Sequence, residues 1–173
     1  MIDQKDTLHF NGHLRMRERD KASGVILSDE GEGNVITTQG ASIILNRMTQ
    51  DTGGSFINTI YLGDDVGDGN LLDPAVEQDS FTGATQAIVY SVPYNDINII
   101  YPDPYTFEVT TVLDGTSILD NNFPQEIDLR FTSATLRFDN LAAFAYKRFP
   151  VRSLSRLVDI EMIWTVSLID IAQ

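Results

Sequence analysis

Residues 158–168 read Val158-Asp-Ile-Glu-Met-Ile-Trp-Thr-Val-Ser-Leu168, and this stretch decides the fold. Apolar side chains occupy every second position, with Ile163 as the one addition. Successive side chains of a β-strand point to opposite faces, so the alternation predicts a strand with one buried face and one solvent-exposed face. A helix would bury Asp159 and Glu161 together with the apolar residues. Trp164, the only tryptophan of the chain, lies near the middle, which predicts a central strand with Trp164 in the core.

Strand patterns and turn signals follow one another along the rest of the chain. Residues 8–28 predict a hairpin with a turn that ends at Gly24, and the polar residues 28–34 predict a loop. The other strand patterns cover residues 56–62, 86–92, 95–101, 105–113, 126–138 and 141–149.

Three breaks in these patterns carry further predictions. The dipeptide Asp114-Gly115 predicts a turn, and the shift of alternation near residues 133–134 predicts a bulge. The basic stretch 150–156 follows a proline and is predicted as a loop. A helical spacing of apolar residues predicts one short helix over residues 39–48.

This order of elements predicts a mainly β fold. We expect an antiparallel β-sandwich or jelly roll with an N-terminal β-hairpin and one short helix. A parallel α/β sheet would need a helix between successive strands, and the second half of the chain has no such pattern. We divide the chain into residues 1–34, an N-terminal arm and hairpin, and residues 35–173, the sandwich domain with the short helix.

Length and composition limit the classes of protein to which the chain can belong. The chain has 173 residues, the length of one ordinary domain, and a formal net charge of −13. Such a charge repels nucleic acid and anionic membranes, so we expect neither as a partner. There is no cysteine, hence no disulfide and no thiolate metal site. The polar, acidic start lacks the features of a signal peptide, so we expect intracellular synthesis.

Charge is distributed unevenly along the chain. Residues 63–128 contain no Lys or Arg, whereas basic residues cluster before and after this middle. An acidic middle between basic ends suits contacts between like subunits, and simple solubility is the alternative interpretation. The predicted interface consists of the basic residues Arg15, Arg17, Arg19, Lys147, Arg148, Arg152 and Arg156 and the acidic residues Asp64, Asp65 and Asp68.

No pattern in the sequence indicates catalysis. His9 and His13, the only histidines, would lie about 13 Å apart on a strand, too far to share one metal. The loop 64–73 has Val66 where a helix-flanked calcium loop needs its second acid, so we interpret it as an acidic turn rather than a calcium site. Neither a nucleophile motif nor a phosphate-binding glycine loop is present. We therefore predict no enzyme activity and no cofactor.

Two aromatic groups offer binding surfaces. The tyrosines of the acidic half could stack on sugar rings, although covering sheet edges is the alternative role: Tyr90, Tyr94, Tyr101 and Tyr105. Residues 144–150, Phe144-Ala-Tyr-Lys-Arg-Phe-Pro150, could form a corner for protein docking. The alternative for them is a strand end with basic side chains extended over apolar surface.

Two short motifs and their order carry a family resemblance. Asn34-Val-Ile-Thr-Thr-Gln-Gly40 follows the basic hairpin, and Phe56-Ile-Asn-Thr-Ile-Tyr-Leu-Gly63 precedes the acidic loop and the strand-rich half. This arrangement resembles small virion structural proteins of tailed double-stranded DNA bacteriophages, from the neck, tail or fibre-attachment region.

The resemblance implies a non-enzymatic structural protein of the virion. Its expected partners are copies of itself and neighbouring virion proteins, joined by repeated subunit contacts. A capsid decoration protein is the first alternative. The second is a carbohydrate- or receptor-binding β-sandwich, whose partner would be a glycan of the host surface.

Overall fold

The computed structural model describes residues 8–36, 40, 57–64, 88–139 and 143–170, and these ranges are almost entirely strand. One α-helix and one 3-10 turn interrupt them. The elements in chain order are β1 (Leu8–Asp20), β2 (Ile26–Ile36), β3 (Ile57–Gly63), β4 (Ile88–Val92), the 3-10 turn Tyr94–Asp96, β5 (Ile97–Asp103), β6 (Thr106–Asp114), α1 (Gly115–Asn122), β7 (Asp128–Phe138), β8 (Ala143–Ser155) and β9 (Val158–Asp170).

The strands form two antiparallel sheets. Sheet A has the order β2-β1-β9-β6-β5, and sheet B has the order β4-β3-β7-β8-β2. Strand β2 belongs to both, because its residues from Ile26 to Asn34 pair with β1 whereas Val35 and Ile36 pair with β8. The predicted mainly β, antiparallel sandwich fold is therefore confirmed.

Strand β9 lies between β1 and β6 in the middle of sheet A, as its alternation predicts. Its inward side chains Ile160, Met162, Trp164 and Val166 are at most 1% exposed. They face a core whose other half comes from sheet B, where Phe131 and Phe144 are fully buried. Aromatic edge contacts join this half, with ring centroids 5.8 Å apart for Phe131–Phe149 and 5.5 Å apart for Phe138–Phe144.

Sheet B is buried on both faces along β3 and β7. Residues 131–138 of β7 are all buried, including Ser133, Thr135 and Arg137 on the face away from the core. Strand β3 shows the same property, with Thr59 8% exposed and Ile60 fully buried. The Arg137 guanidinium lies 4.6 Å from the centroid of the Tyr61 ring, and burial lowers the pKa of Arg137. This arginine is therefore not a surface charge.

The predicted loop over residues 28–34 is wrong, because these residues belong to β2. Their polar sequence carries no apolar alternation, and the strand is specified by backbone pairing with β1. Gly31 leaves room for the His13 ring across the strand pair, where a Cβ would lie 2.5 Å from a ring carbon of His13. The hairpin itself is confirmed and is longer than predicted.

The predicted basic loop over residues 150–156 is also wrong, because β8 continues to Ser155. Its pairing with β7 jumps from Arg148 opposite Ser133 to Arg152 opposite Phe131. The residues between, including Pro150, bulge out of the ladder, so the missing N–H of the proline is not needed there. This irregularity lies next to the site where a bulge was predicted.

The structure describes one α-helix, and the sequence did not predict it. Asp114-Gly115, predicted as a turn, begins α1: the Asp114 side chain accepts a hydrogen bond of 2.8 Å from Ser117 N and caps the helix. Ile118 and Leu119 then pack into the core. The helix predicted over residues 39–48 lies outside the described residues, except for Gly40.

Replacing Trp164 with Ala should lower the free energy of unfolding by about 3–5 kcal/mol, because a fully buried indole leaves a cavity at the centre of the core. Denaturant unfolding followed by far-ultraviolet circular dichroism measures this, since the variant has no tryptophan. Tyr101→Ala, at a side chain that is 76% exposed, is the control. A loss below about 1 kcal/mol for Trp164→Ala would contradict the core assignment.

Replacing Gly115 with Ala should destabilise the protein by at least about 1–3 kcal/mol, because a Cβ there would lie 1.8 Å from the backbone oxygen of Ser155. This clash exceeds the gain of about 1 kcal/mol that Ala brings to a helix. Gly33→Ala is the matched control, since the nearest atom to its Cβ would be 3.9 Å away. Equal denaturation midpoints for the two variants would show that α1 does not pack as described.

Candidate interaction surfaces

Arg15 and Arg17 of β1 point away from the core and pair with carboxylates of their own subunit. Arg15 binds Asp29 through two hydrogen bonds of 2.6 Å, and Arg17 lies 3.2 Å from the same carboxylate. Arg17 also donates to Glu161 Oε2 at 3.0 Å. The two guanidinium groups lower the pKa of Asp29 to about 2. This cluster ties the hairpin to β9 across the outer face of sheet A.

A second set of ion pairs joins β8 to both strands of the hairpin, although β8 pairs directly with β2 only at Val35 and Ile36. Lys147 Nζ lies 2.7 Å from Glu32, and Arg152 binds both Glu18, at 3.1 Å, and Glu30. The Arg152 side chain is only 10% exposed, so its charge depends on these partners. We call these five residues the seam, because beneath them lie Leu14, Met16 and Phe149 of the core.

The other predicted basic residues divide into paired and unpaired groups. Arg156 lies 2.7 Å from Asp120 and also donates to the Glu126 carbonyl at 2.7 Å. Arg19 is exposed, Arg148 is half-buried, and neither has an ion-pair partner among the described residues. Most of the predicted basic interface is thus engaged within the subunit, and its contact with another copy stays a prediction.

The predicted acidic partners are mostly outside the described ranges. Asp64 is half-buried at the end of β3, whereas Asp65, Asp68 and the rest of the loop 64–73 are not described. The interpretation of this loop as an acidic turn therefore stays untested. Within the described ranges, no three His, Asp or Glu side chains come close enough together to hold a metal ion.

The aromatic residues predicted to form binding surfaces differ in how far they are buried. Phe144, Tyr146 and Phe149 are at most 9% exposed, so the docking corner predicted over residues 144–150 is wrong, since its aromatic rings belong to the interior. Tyr101 and Tyr105 are exposed at the edge strand β5. Tyr90 is half-buried against Phe123 and lines a cleft.

One end of the sandwich exposes aliphatic side chains on neighbouring turns. Val25, Ile26 and Leu27 follow the β1–β2 turn and are about half exposed, and Leu157 in the β8–β9 turn is 71% exposed. Lys21 N donates to Leu157 O at 3.0 Å, which brings the two turns together. We call these four residues the apolar rim. Exposed aliphatic side chains grouped in this way are typical of interaction sites.

The open edge of the sandwich contains a cleft of about 760 Å³ that the sequence did not predict. Strand β5 begins at Ile97, opposite Thr111, so the last three residues of β6 pair with β9 on one side and have no β5 residue on the other. The 3-10 turn and α1 border the gap that results. Because the cleft depends on a difference in strand length and on a helix predicted as a turn, no local motif could reveal it.

No family model matches the chain, and searches of curated proteins and of solved structures found no similar protein. In the described part of the chain, no helix is long and apolar enough to cross a bilayer.

Asp29 should make folding stability depend on pH in the acidic range. Its folded pKa of about 2 lies below the value of about 4 expected for an unfolded chain, so its contribution is complete above about pH 4 and is lost as the pH falls toward 2. Thermal unfolding between pH 5 and pH 2 should therefore show a steeper decline for the wild type than for Asp29→Asn.

The control for this comparison is Asp139→Asn, at an exposed carboxylate with no ion-pair partner among the described residues. That variant should follow the wild-type slope. If Asp29→Asn and the wild type lose stability in parallel, the arginine cluster does not tie down the hairpin in solution.

Proposed function

We propose that this chain is a non-enzymatic structural subunit that assembles through repeated contacts, in the neck, tail or fibre-connector region of a tailed bacteriophage virion. The apolar rim is the observation that supports assembly through repeated contacts. Val25 and Leu157 in two touching turns, with Ile26 and Leu27 at the start of β2, are left in water by the subunit, and a second subunit or a neighbouring virion protein can cover them.

Sheet A, which carries the apolar rim at its end, suits a subunit that bears mechanical load. Both turns that carry the rim are the ends of strands in sheet A: β1 pairs with β9 from Leu8 to Asp20, and β9 pairs with β6. A force applied at the rim is therefore transmitted along continuous hydrogen-bonded strands rather than through a flexible loop.

Ion pairing within the subunit changes the expected mode of assembly. Five of the predicted interface cations already have carboxylate partners at 3.1 Å or less, namely Arg15, Arg17, Lys147, Arg152 and Arg156. Breaking these pairs to bind another copy would gain little, because one ion pair replaces another. We therefore propose that apolar burial at the rim supplies affinity, and that unpaired surface charge sets orientation.

The position within a virion rests on the motif resemblance of residues 34–40 and 56–63 to phage neck and tail proteins. Gene neighbourhood tests it directly. Adjacent genes for a portal, a terminase or tail proteins would support the assignment, whereas an operon of metabolic genes would contradict it.

Light scattering coupled to size exclusion should show an oligomer for the wild-type chain and a smaller species for the double variant Ile26→Asp, Leu157→Asp. The change places two carboxylates on the apolar rim, where burial of charge opposes contact. Val112→Asp is the matched control, because Val112 is 57% exposed but lies on the outer face of sheet A, away from the rim.

The control variant should retain the wild-type mass. A wild-type chain that is monomeric both alone and with the products of its neighbouring genes would refute the assembly proposal. So would an unchanged mass for the double variant.

A further inference from the structure

The cleft at the open edge of the sandwich has the character of a ligand site. Its volume of about 760 Å³ lies within the range of small-molecule pockets. Its floor is the end of β6, with buried Thr111 and Leu113, and its walls are the 3-10 turn, the start of β5 and the exposed side of α1. Three elements of secondary structure thus hold the walls in place.

Four side-chain amides contribute to the polar lining. Asn95 and Asn98 project from the turn and β5, and Asn121 and Asn122 project from the last turn of α1. Asn121 and Asn122 make hydrogen bonds of 3.4 Å and 3.0 Å within the helix through Nδ2, which leaves their carbonyl oxygens directed elsewhere. Each amide offers donors and an acceptor in one plane, the arrangement that matches two adjacent hydroxyl groups.

The carboxylates of the cleft are largely neutralised from outside it. Asp114 lies 2.7 Å from Lys21 Nζ, and Glu161 lies 3.0 Å from Arg17 Nη1. Only Asp96 has no ion-pair partner among the described residues. A cationic ligand would therefore find little uncompensated charge. An anionic ligand would find no cation, since no Lys or Arg lines the cleft.

Apolar surface is present beside the amides. The Tyr90 ring is half-buried on one wall, and Val112, which is 57% exposed, borders the cleft from the outer face of sheet A. Pyranose rings combine hydroxyl edges with C–H faces, so a lining of amides, one aromatic ring and one aliphatic side chain complements both.

We propose that this cleft binds a neutral saccharide, with Asn98 and Asn121 as hydrogen-bonding groups from opposite walls. We expect a neutral ligand because two of the three carboxylates of the cleft, Asp114 and Glu161, are paired and no Lys or Arg lines it. The site is independent of the apolar rim, so it does not depend on the assembly proposed above.

A glycan array with neutral, sialylated and sulfated members tests the ligand class. Binding should be confined to neutral glycans. Equal or stronger binding of the anionic glycans would overturn the proposal, and so would an absence of binding to all neutral members.

The best neutral glycan is then titrated by calorimetry against variants of the full chain. The double variant Asn98→Ala, Asn121→Ala should weaken binding about tenfold, the effect of losing two ordinary hydrogen bonds. Asn11→Ala, at an exposed asparagine of β1 outside the cleft, should bind like the wild type. Equal affinity of the double variant and the wild type would place the saccharide elsewhere.

Two further measurements separate this result from other causes. The Trp164 emission spectrum should be the same in the variants and the wild type, since the altered asparagines are exposed and the indole is buried. Chemical shifts in the wild type should move at Val112 and Thr110 when glycan is added. Shifts confined to Tyr101 and Tyr105 would instead assign binding to the exposed edge and overturn the cleft as the site.

Discussion

The structure depends on the pairing of β9 with a neighbour on each side. Strand β1 pairs with it from Leu8 opposite Asp170 to Asp20 opposite Val158, and β6 pairs with it over residues 106–114. Both edges of β9 are paired, so the remaining question is which of its two faces points into the core. A shift of one residue would exchange Trp164 and Met162 for Ile163 and Glu161, and would bury a carboxylate. The register of sheet A is therefore fixed by the cost of that exchange.

The same pairing explains the placement of charge. Read along the chain, the basic residues near both ends and the acidic middle look like separate surfaces. In the fold, antiparallel pairing places Arg17 directly opposite Glu161, 144 residues later, and opposite Asp29 on its other side. Sequence distance is thus a poor guide to electrostatic partners in a sheet. The charges that suggested contacts between subunits largely stabilise contacts between strands.

Elements with an apolar alternation could be predicted from the sequence, and those without it could not. The strand at residues 158–168, the edge strand near residue 97 and the sandwich class follow from side-chain pattern and proline placement. Residues 29–34 of β2 are acidic residues, glycines and one asparagine, and the end of β8 is interrupted by Pro150. Backbone pairing together with the seam makes both of them strands. Helix α1 depends on a tertiary contact, the close approach of Gly115 to Ser155, which no local pattern reports.

Lys21 connects the two surfaces proposed to bind other molecules. Its backbone N–H donates to Leu157 O at the apolar rim, and its ammonium group binds Asp114 at 2.7 Å and Thr116 at 3.0 Å beside the cleft. The pairing with Asp114 raises the pKa of Lys21 and lowers that of Asp114, so both remain charged at neutral pH. The residue that holds the rim turns together thus also cancels a carboxylate of the cleft.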